Sequence, residues 1–109
     1  MTTKELLEYH ADFCQRGWDI VKKKNHDYAG AAGDTPFANF EASEKIGITT
    51  TEKGILVRML DKMMRLSTFA DAGELKVENE SVEDACLDIA NYCVLLSAYI
   101  KDKKEQHDK

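Results

Sequence analysis

Long apolar runs are missing from this sequence of 109 residues, and no stretch approaches the roughly 18 apolar residues that a transmembrane helix needs. The first ten residues also lack the apolar centre of a secretory signal peptide. The formal charge of −5 repels a phosphate backbone and disfavours broad nucleic-acid binding. We therefore expect a cytoplasmic protein whose partners include neither a membrane nor a nucleic acid.

Proline and cysteine are scarce as well. The single proline and six glycines argue against a turn-rich β-sandwich and favour helices. The three cysteines, Cys14, Cys86 and Cys93, are an odd number without the spacing of a metal site. Cys86 and Cys93 lie two helical turns apart on an apolar stripe, so we expect buried free thiols, as in a reducing cytosol.

Apolar residues are present at helical spacing, in segments bounded by capping signals. Three capping-box signals mark the starts of long helices: Thr2 with Glu5, Thr49 with Glu52, and Ser81 with Asp84. Pro36 predicts the first position of a short helix, and Gly47 and Gly73 predict helix ends. The predicted helices cover about residues 3–24, 36–45, 50–72 and 82–101, with a loop at 25–34 and a solvated tail at 102–109.

Three long helices and one short helix predict a single all-α domain over residues 1–109, a small bundle. One face of the first helix is wide for a helix that covers only one side of such a bundle. Its apolar members are Leu6, Leu7, Phe13, Cys14, Trp18 and Val21. An apolar surface of this kind predicts a homo-oligomer, most simply a dimer with two-fold symmetry.

Polar residues interrupt the apolar pattern in the first half of the last helix. Asp84, Asp88 and Asn91 lie at i, i+4 and i+7, which places them on one line. Burying two carboxylates costs several kcal/mol each unless cations compensate, and a divalent cation with oxygen ligands removes that cost. The structural alternative is that Asp84 caps the helix and Asp88 forms a salt bridge.

The third helix carries a charged stripe of Arg58, Asp61, Lys62 and Arg65, opposite an apolar side of Ile55, Met59, Met63, Leu66 and Phe69. A charged stripe is ordinarily a solvated surface, and Asp61 has arginines within helical reach. The functional interpretation is that these cations face the acidic line across the bundle. A site for a nucleoside polyphosphate requires carboxylates that hold a metal ion beside arginines that bind phosphate.

Four blocks of the sequence resemble a known family: KNHDYAG (24–30), NF (39–40), GILVRMLDKMMRL (54–66) and NESVEDACLDIANY (79–92). They look like the nucleotide-modification-associated domain type one of phages and prophages, which is related to the MazG-like all-α NTP pyrophosphatases. The resemblance implies a helical, usually oligomeric protein that acts on nucleotides, with Mg²⁺ held by helix carboxylates. For a phage protein the compartment would be the host cytoplasm.

Carried over by position, Asp61 would be an acid of the third helix, and Asp88 would match the aspartate of a Glu-x-x-Asp pair. With Asp84 they form the candidate catalytic and metal set. The candidate ligand-binding residues are Lys24, Asp27, Tyr28, Asn39, Phe40, Arg58, Lys62, Arg65 and Asn91. The sequence departs from the pyrophosphatase pattern, because Ala85 stands where the glutamate of the pair is expected.

Three hypotheses follow. The first is a Mg²⁺-dependent pyrophosphohydrolase of nucleoside polyphosphates. The second is a nucleotide-binding protein without hydrolysis: a sponge that sequesters a nucleotide signal, cyclic or linear, or an accessory subunit in nucleotide modification. The third is a helical protein-interaction module. We rank binding above catalysis. If Asp88 is a metal ligand, as we expect, the Asp88→Asn variant should be at least as stable as the parent protein in the absence of Mg²⁺.

Overall fold

The computed structural model describes residues 1–32, 36–73 and 81–108, with the side chains of all of these except 26–32. These residues form four helices and no strand: α1 (Thr3–Ala32), α2 (Ala38–Lys45), α3 (Thr51–Ala72) and α4 (Val82–His107). The prediction of an all-α chain with three long helices and one short helix is confirmed. Within the described ranges, no helix is long and apolar enough to cross a membrane.

Two of the predicted capping boxes form. The Thr2 amide donates to Glu5 Oε2 at 2.9 Å, and the Glu5 amide donates to Thr2 Oγ1 at 3.1 Å. The same reciprocal pair joins Ser81 and Asp84, at 3.1 and 3.0 Å. Each box satisfies backbone amides that the first turn of a helix leaves without a partner.

The third start is displaced by one residue from the prediction. The cap of α3 is Thr50 rather than Thr49, and its hydroxyl accepts from the Lys53 amide at 3.2 Å. Thr51 is already helical and fully buried, and its hydroxyl donates to Glu44 of α2 at 2.9 Å. Three consecutive threonines offer equivalent local caps, so the tertiary contact with α2 distinguishes between them.

Three further helix boundaries differ from the prediction. Helix α1 passes Lys24 and continues to Ala32, so the single glycine of this segment does not end the helix. Helix α4 continues to His107 rather than Lys101, with Lys103 of the added turns 3.1 Å from Glu52 of α3. Helix α2 begins at Ala38 rather than Pro36. Residues 33–35, which include the end of the predicted loop, and residues 74–80 lie outside the described residues.

The core lies mainly between α3 and α4, with α1 against α4 and α2 against α3. Its buried side chains are Phe37, Thr51, Ile55, Ala85, Leu87 and Tyr99. The Phe37 and Tyr99 rings meet edge to face with centroids 5.3 Å apart, which draws the residue before α2 into the core.

Several large apolar residues are exposed in the single chain. Val94 and Ile100 of α4 are among them. Cys93 is also exposed and Cys86 only half-buried, so the prediction of two buried thiols was wrong. On α3, Ile55 faces the core as predicted, whereas Met63 lies on the outside.

A glycine sets the distance between α1 and α4. Gly17 is buried in the middle of α1, and a Cβ at this position would lie 3.0 Å from Asn91 Oδ1. Real Cβ contacts at that distance are crowded, so the missing side chain lets α1 approach the polar line of α4 closely.

We expect Gly73→Ala to destabilise the fold by about 1 kcal/mol, because the residue after α3 adopts a left-handed conformation, φ 78°, that disfavours a side chain. A Cβ there would meet no atom within 4 Å, so the cost comes from the backbone alone. Urea denaturation measures it. Ser97→Ala, at an exposed position inside α4, is the control and should be neutral or slightly stabilising.

Candidate functional site

The four helices and the turn before α2 surround a cavity of about 400 Å³. This volume is in the range of small-molecule sites. Its lining combines aromatic, amide, cationic and apolar side chains: Val21, Lys24, Asn25, Pro36, Ala38, Asn39, Phe40, Ala42, Arg58, Asp88, Asn91, Tyr92 and Leu95.

Helical periodicity brings these residues to one place. Helix α4 contributes Asp88, Asn91, Tyr92 and Leu95, at i, i+3, i+4 and i+7, which is one continuous stripe. Helix α1 contributes positions 21, 24 and 25 in the same spacing, and α2 contributes most of its first turn. The polar line predicted on α4 therefore continues into the cavity wall.

An arginine and two aromatic rings form one connected group in this wall. The guanidinium carbon of Arg58 lies 4.7 Å from the centroid of the Phe40 ring, a cation–π contact. The Phe40 and Tyr92 rings meet edge to face, with centroids 6.4 Å apart and an interplanar angle of 85°. Arg58 is exposed, so the contact favours one position of the guanidinium, and its planar hydrogen-bond donors stay available to a ligand.

Asp88 has a cationic partner from another helix. Its Oδ2 lies 3.0 Å from Nζ of Lys62 on α3, and the two side chains are 21% and 18% exposed. This is the salt bridge that the structural interpretation required. Because both groups are largely shielded from water, the pair is stronger than a surface pair but also costs more to desolvate.

The other acidic residues of the predicted metal set are engaged elsewhere. Asp84 is the reciprocal partner in the capping box of α4 and is exposed. Asp61 Oδ2 lies 3.3 Å from Arg65 Nη2 one turn along α3, and it is 62% exposed. Among the described side chains no three His, Cys, Asp or Glu residues form a group that could hold a metal ion. Mg²⁺ therefore stays a prediction.

Glu83, which flanks the acidic line, forms an ion pair with Arg16 of α1 and accepts from the Tyr9 hydroxyl at 3.4 Å. Hydrogen bonding to Glu83 raises the pKa of the Arg16 guanidinium. The pair fastens α1 to the first turn of α4, which makes Glu83 a link between helices.

The structure brings together six of the predicted site residues in the cavity wall: Lys24, Asn39, Phe40, Arg58, Asp88 and Asn91. Lys62 adjoins them through Asp88, whereas Arg65 is not among the lining residues and pairs with Asp61. The side chains of Asp27 and Tyr28 lie outside the described residues.

Sequence reasoning missed Asn25, Tyr92 and Gly17. Asn25 was assigned to a loop, although it follows Val21 at i+4 on the face that points into the cavity. Tyr92 was counted as part of the apolar stripe of α4, yet it lies one turn after Asp88. A glycine inside a helical pattern is itself a signal of close packing, so Gly17 could have been found.

No family model matches the chain, and searches of curated proteins and of solved structures found no match. The described structure therefore defines the class of the protein as a four-helix all-α domain with a polar cavity.

We expect Asp88→Asn to destabilise the protein by about 1–3 kcal/mol, between the values for exposed and for fully buried ion pairs, because it removes the negative charge that lies 3.0 Å from the Lys62 ammonium. This replaces the sequence-based expectation that the variant would be at least as stable. Urea denaturation with chelator and with excess Mg²⁺ measures it. Asp61→Asn, in an exposed pair, is the matched control and should cost less than about 0.5 kcal/mol.

The opposite pattern would establish a metal role. In that case the Asp88→Asn variant would equal the parent in chelator, and only the parent would gain stability from Mg²⁺.

Proposed function

We propose that the cavity binds a nucleotide. The observation that carries the proposal is that one cavity of about 400 Å³ combines two aromatic rings, two cations and three amide side chains. Each feature answers one part of a nucleotide: apolar and aromatic surface for the base, cations for phosphate, and amides for the hydrogen-bonding edges of the base and sugar.

The base would lie against the Phe40 and Tyr92 side of the cavity, where Val21 and Leu95 add apolar surface. Phosphate oxygens would bind Arg58 and Lys24. Because the Phe40 ring already holds the Arg58 guanidinium, less conformational freedom is lost when phosphate binds.

The Lys62–Asp88 pair makes an anionic ligand acceptable in this cavity. A free carboxylate in the wall would repel phosphate, but Nζ of Lys62 at 3.0 Å offsets the charge of Asp88. The remaining cations of the wall then set its charge. A balance of this kind favours an anionic ligand over a neutral one.

The resemblance noted in the sequence supports the same proposal. Each of its four blocks supplies lining residues of the cavity: Lys24 and Asn25 from the first, Asn39 and Phe40 from the second, Arg58 from the third, and Asp88, Asn91 and Tyr92 from the fourth. Similarity that converges on one cavity is what a shared ligand site produces. On this basis we propose kinship with the nucleotide-modification-associated domain type one of phages and prophages, which is related to the MazG-like pyrophosphatases, and a place in the host cytoplasm.

Binding without hydrolysis is the first form of the proposal: a sponge or an accessory subunit in nucleotide modification. Mg²⁺-dependent hydrolysis is the second candidate. It rests on Asp88, the one acidic residue of the predicted metal set that lines the cavity. Mg²⁺ is commonly held by one or two carboxylates together with substrate phosphates, so Asp88 could hold it only with a polyphosphate bound.

We expect nucleotides to raise the thermal midpoint by several degrees at about 100 times their dissociation constant. The screen covers nucleoside mono-, di- and triphosphates and cyclic nucleotides, each with and without Mg²⁺. Product analysis of the same mixtures separates binding from hydrolysis. No shift with any nucleotide, at concentrations up to millimolar, would contradict the proposal and favour an interaction module.

We expect Arg58→Ala to weaken binding of the best nucleotide about ten-fold or more, because it removes a charge-assisted pair of hydrogen bonds to phosphate. Arg65→Ala removes the same group from the same helix outside the cavity wall, so it should have a much smaller effect. Titration calorimetry measures both. Equal losses in the two variants would favour the whole charged stripe as the binding surface, and no loss in either would exclude both.

A further inference from the structure

Helix α3 carries an apolar face that no described residue covers. Its members are Leu56, Val57, Leu60, Met63 and Met64, which are between 48% and 63% exposed. At 100° per residue they span roughly 120° of the helix surface, one continuous stripe. The face lies beside the side of α3 that carries Ile55 into the core.

The surface of the chain is too large for a domain of its mass. The accessible area is 8187 Å², whereas a folded monomer of 12.3 kDa exposes about 6,100 Å². The excess, roughly 2,000 Å², is more than the about 800 Å² that each partner buries in a standard interface. The radius of gyration, 16.1 Å, likewise exceeds the about 13 Å expected for this length.

A residue of opposite charge lies at each end of this face. Lys53 precedes it and Asp71 follows it, both on its centre line at 100° per residue. Both side chains are exposed, and neither forms an ion pair with another described residue. A face that is positive at one end and negative at the other is complementary to itself when it is turned end for end.

We propose that this face binds a second copy of the chain, with the two α3 helices antiparallel about a two-fold axis at Leu60. That axis places Leu56 opposite the partner's Met64 and Val57 opposite the partner's Met63. Lys53 then lies about one turn, roughly 6 Å, from the partner's Asp71, within reach of a lysine side chain. Two-fold pairing requires such a self-complementary surface.

The assignment differs from the α1 stripe that the sequence suggested, and it does not depend on nucleotide binding. A dimer that binds no nucleotide, or a monomer that does, would separate the two proposals.

The first test is sedimentation equilibrium of the full chain from about 1 to 200 µM. The parent should be a dimer, and Leu60→Glu should raise its dissociation constant at least about 100-fold by placing two charges at the centre of the interface. Val94→Glu, at a comparably exposed apolar site on α4, is the matched control and should leave the dimer intact. Leu7→Glu tests the α1 stripe. Far-UV circular dichroism checks that each variant remains helical.

The second test addresses orientation. Lys53→Asp and Asp71→Lys should each weaken the dimer about ten-fold, and the double variant should restore it. Both changes suit the helix dipole, since they place an acid in the first turn and a base near the last, so loss of the helix would not explain weaker association.

A monomeric parent, or a dimer broken by Leu7→Glu and not by Leu60→Glu, would overturn the proposal. Single charge changes without effect would overturn the antiparallel arrangement, because a parallel pair places like charges together both before and after each change.

Discussion

The ion pair between Lys62 and Asp88 joins the two helices that carry most of the core and forms part of the cavity wall. Both side chains are four-fifths shielded from water, where a lone charge would be costly. The pair therefore ties the position of α3 to that of α4. The same packing places two further residues in the cavity wall. Arg58 lies one turn before Lys62, and Asn91 lies less than one turn after Asp88.

Other contacts position α1 and α2 relative to this pair. Gly17 lets α1 approach Asn91, and the Arg16–Glu83 pair fastens the same helix at the start of α4. Phe37 draws the turn before α2 against Tyr99, which positions Phe40 for its contact with Arg58. The cavity is thus a product of helix spacing, and a nucleotide would bind to groups already held in place.

The small core and the large apolar surface belong together. Among the described residues, five apolar side chains are fully buried and fifteen large ones are exposed, so a single copy has a small core for its length. Association through the α3 face would supply the missing burial. It would also explain why α3 is apolar on two sides, one for its own α4 and one for a second copy.

The sequence by itself determined the helical class, two capping boxes, the end of α3 at Gly73 and the presence of an unusual polar line on α4. These features depend on interactions within a few residues, which spacing and residue type reveal. It also identified six of the residues that line the cavity. Tertiary structure decided which threonine begins α3, where α1 and α4 end, that Asp88 pairs with Lys62, and that Arg58 rather than Arg65 reaches the cavity. Each of these depends on distances between helices, and periodicity along one helix carries no information about the position of the next.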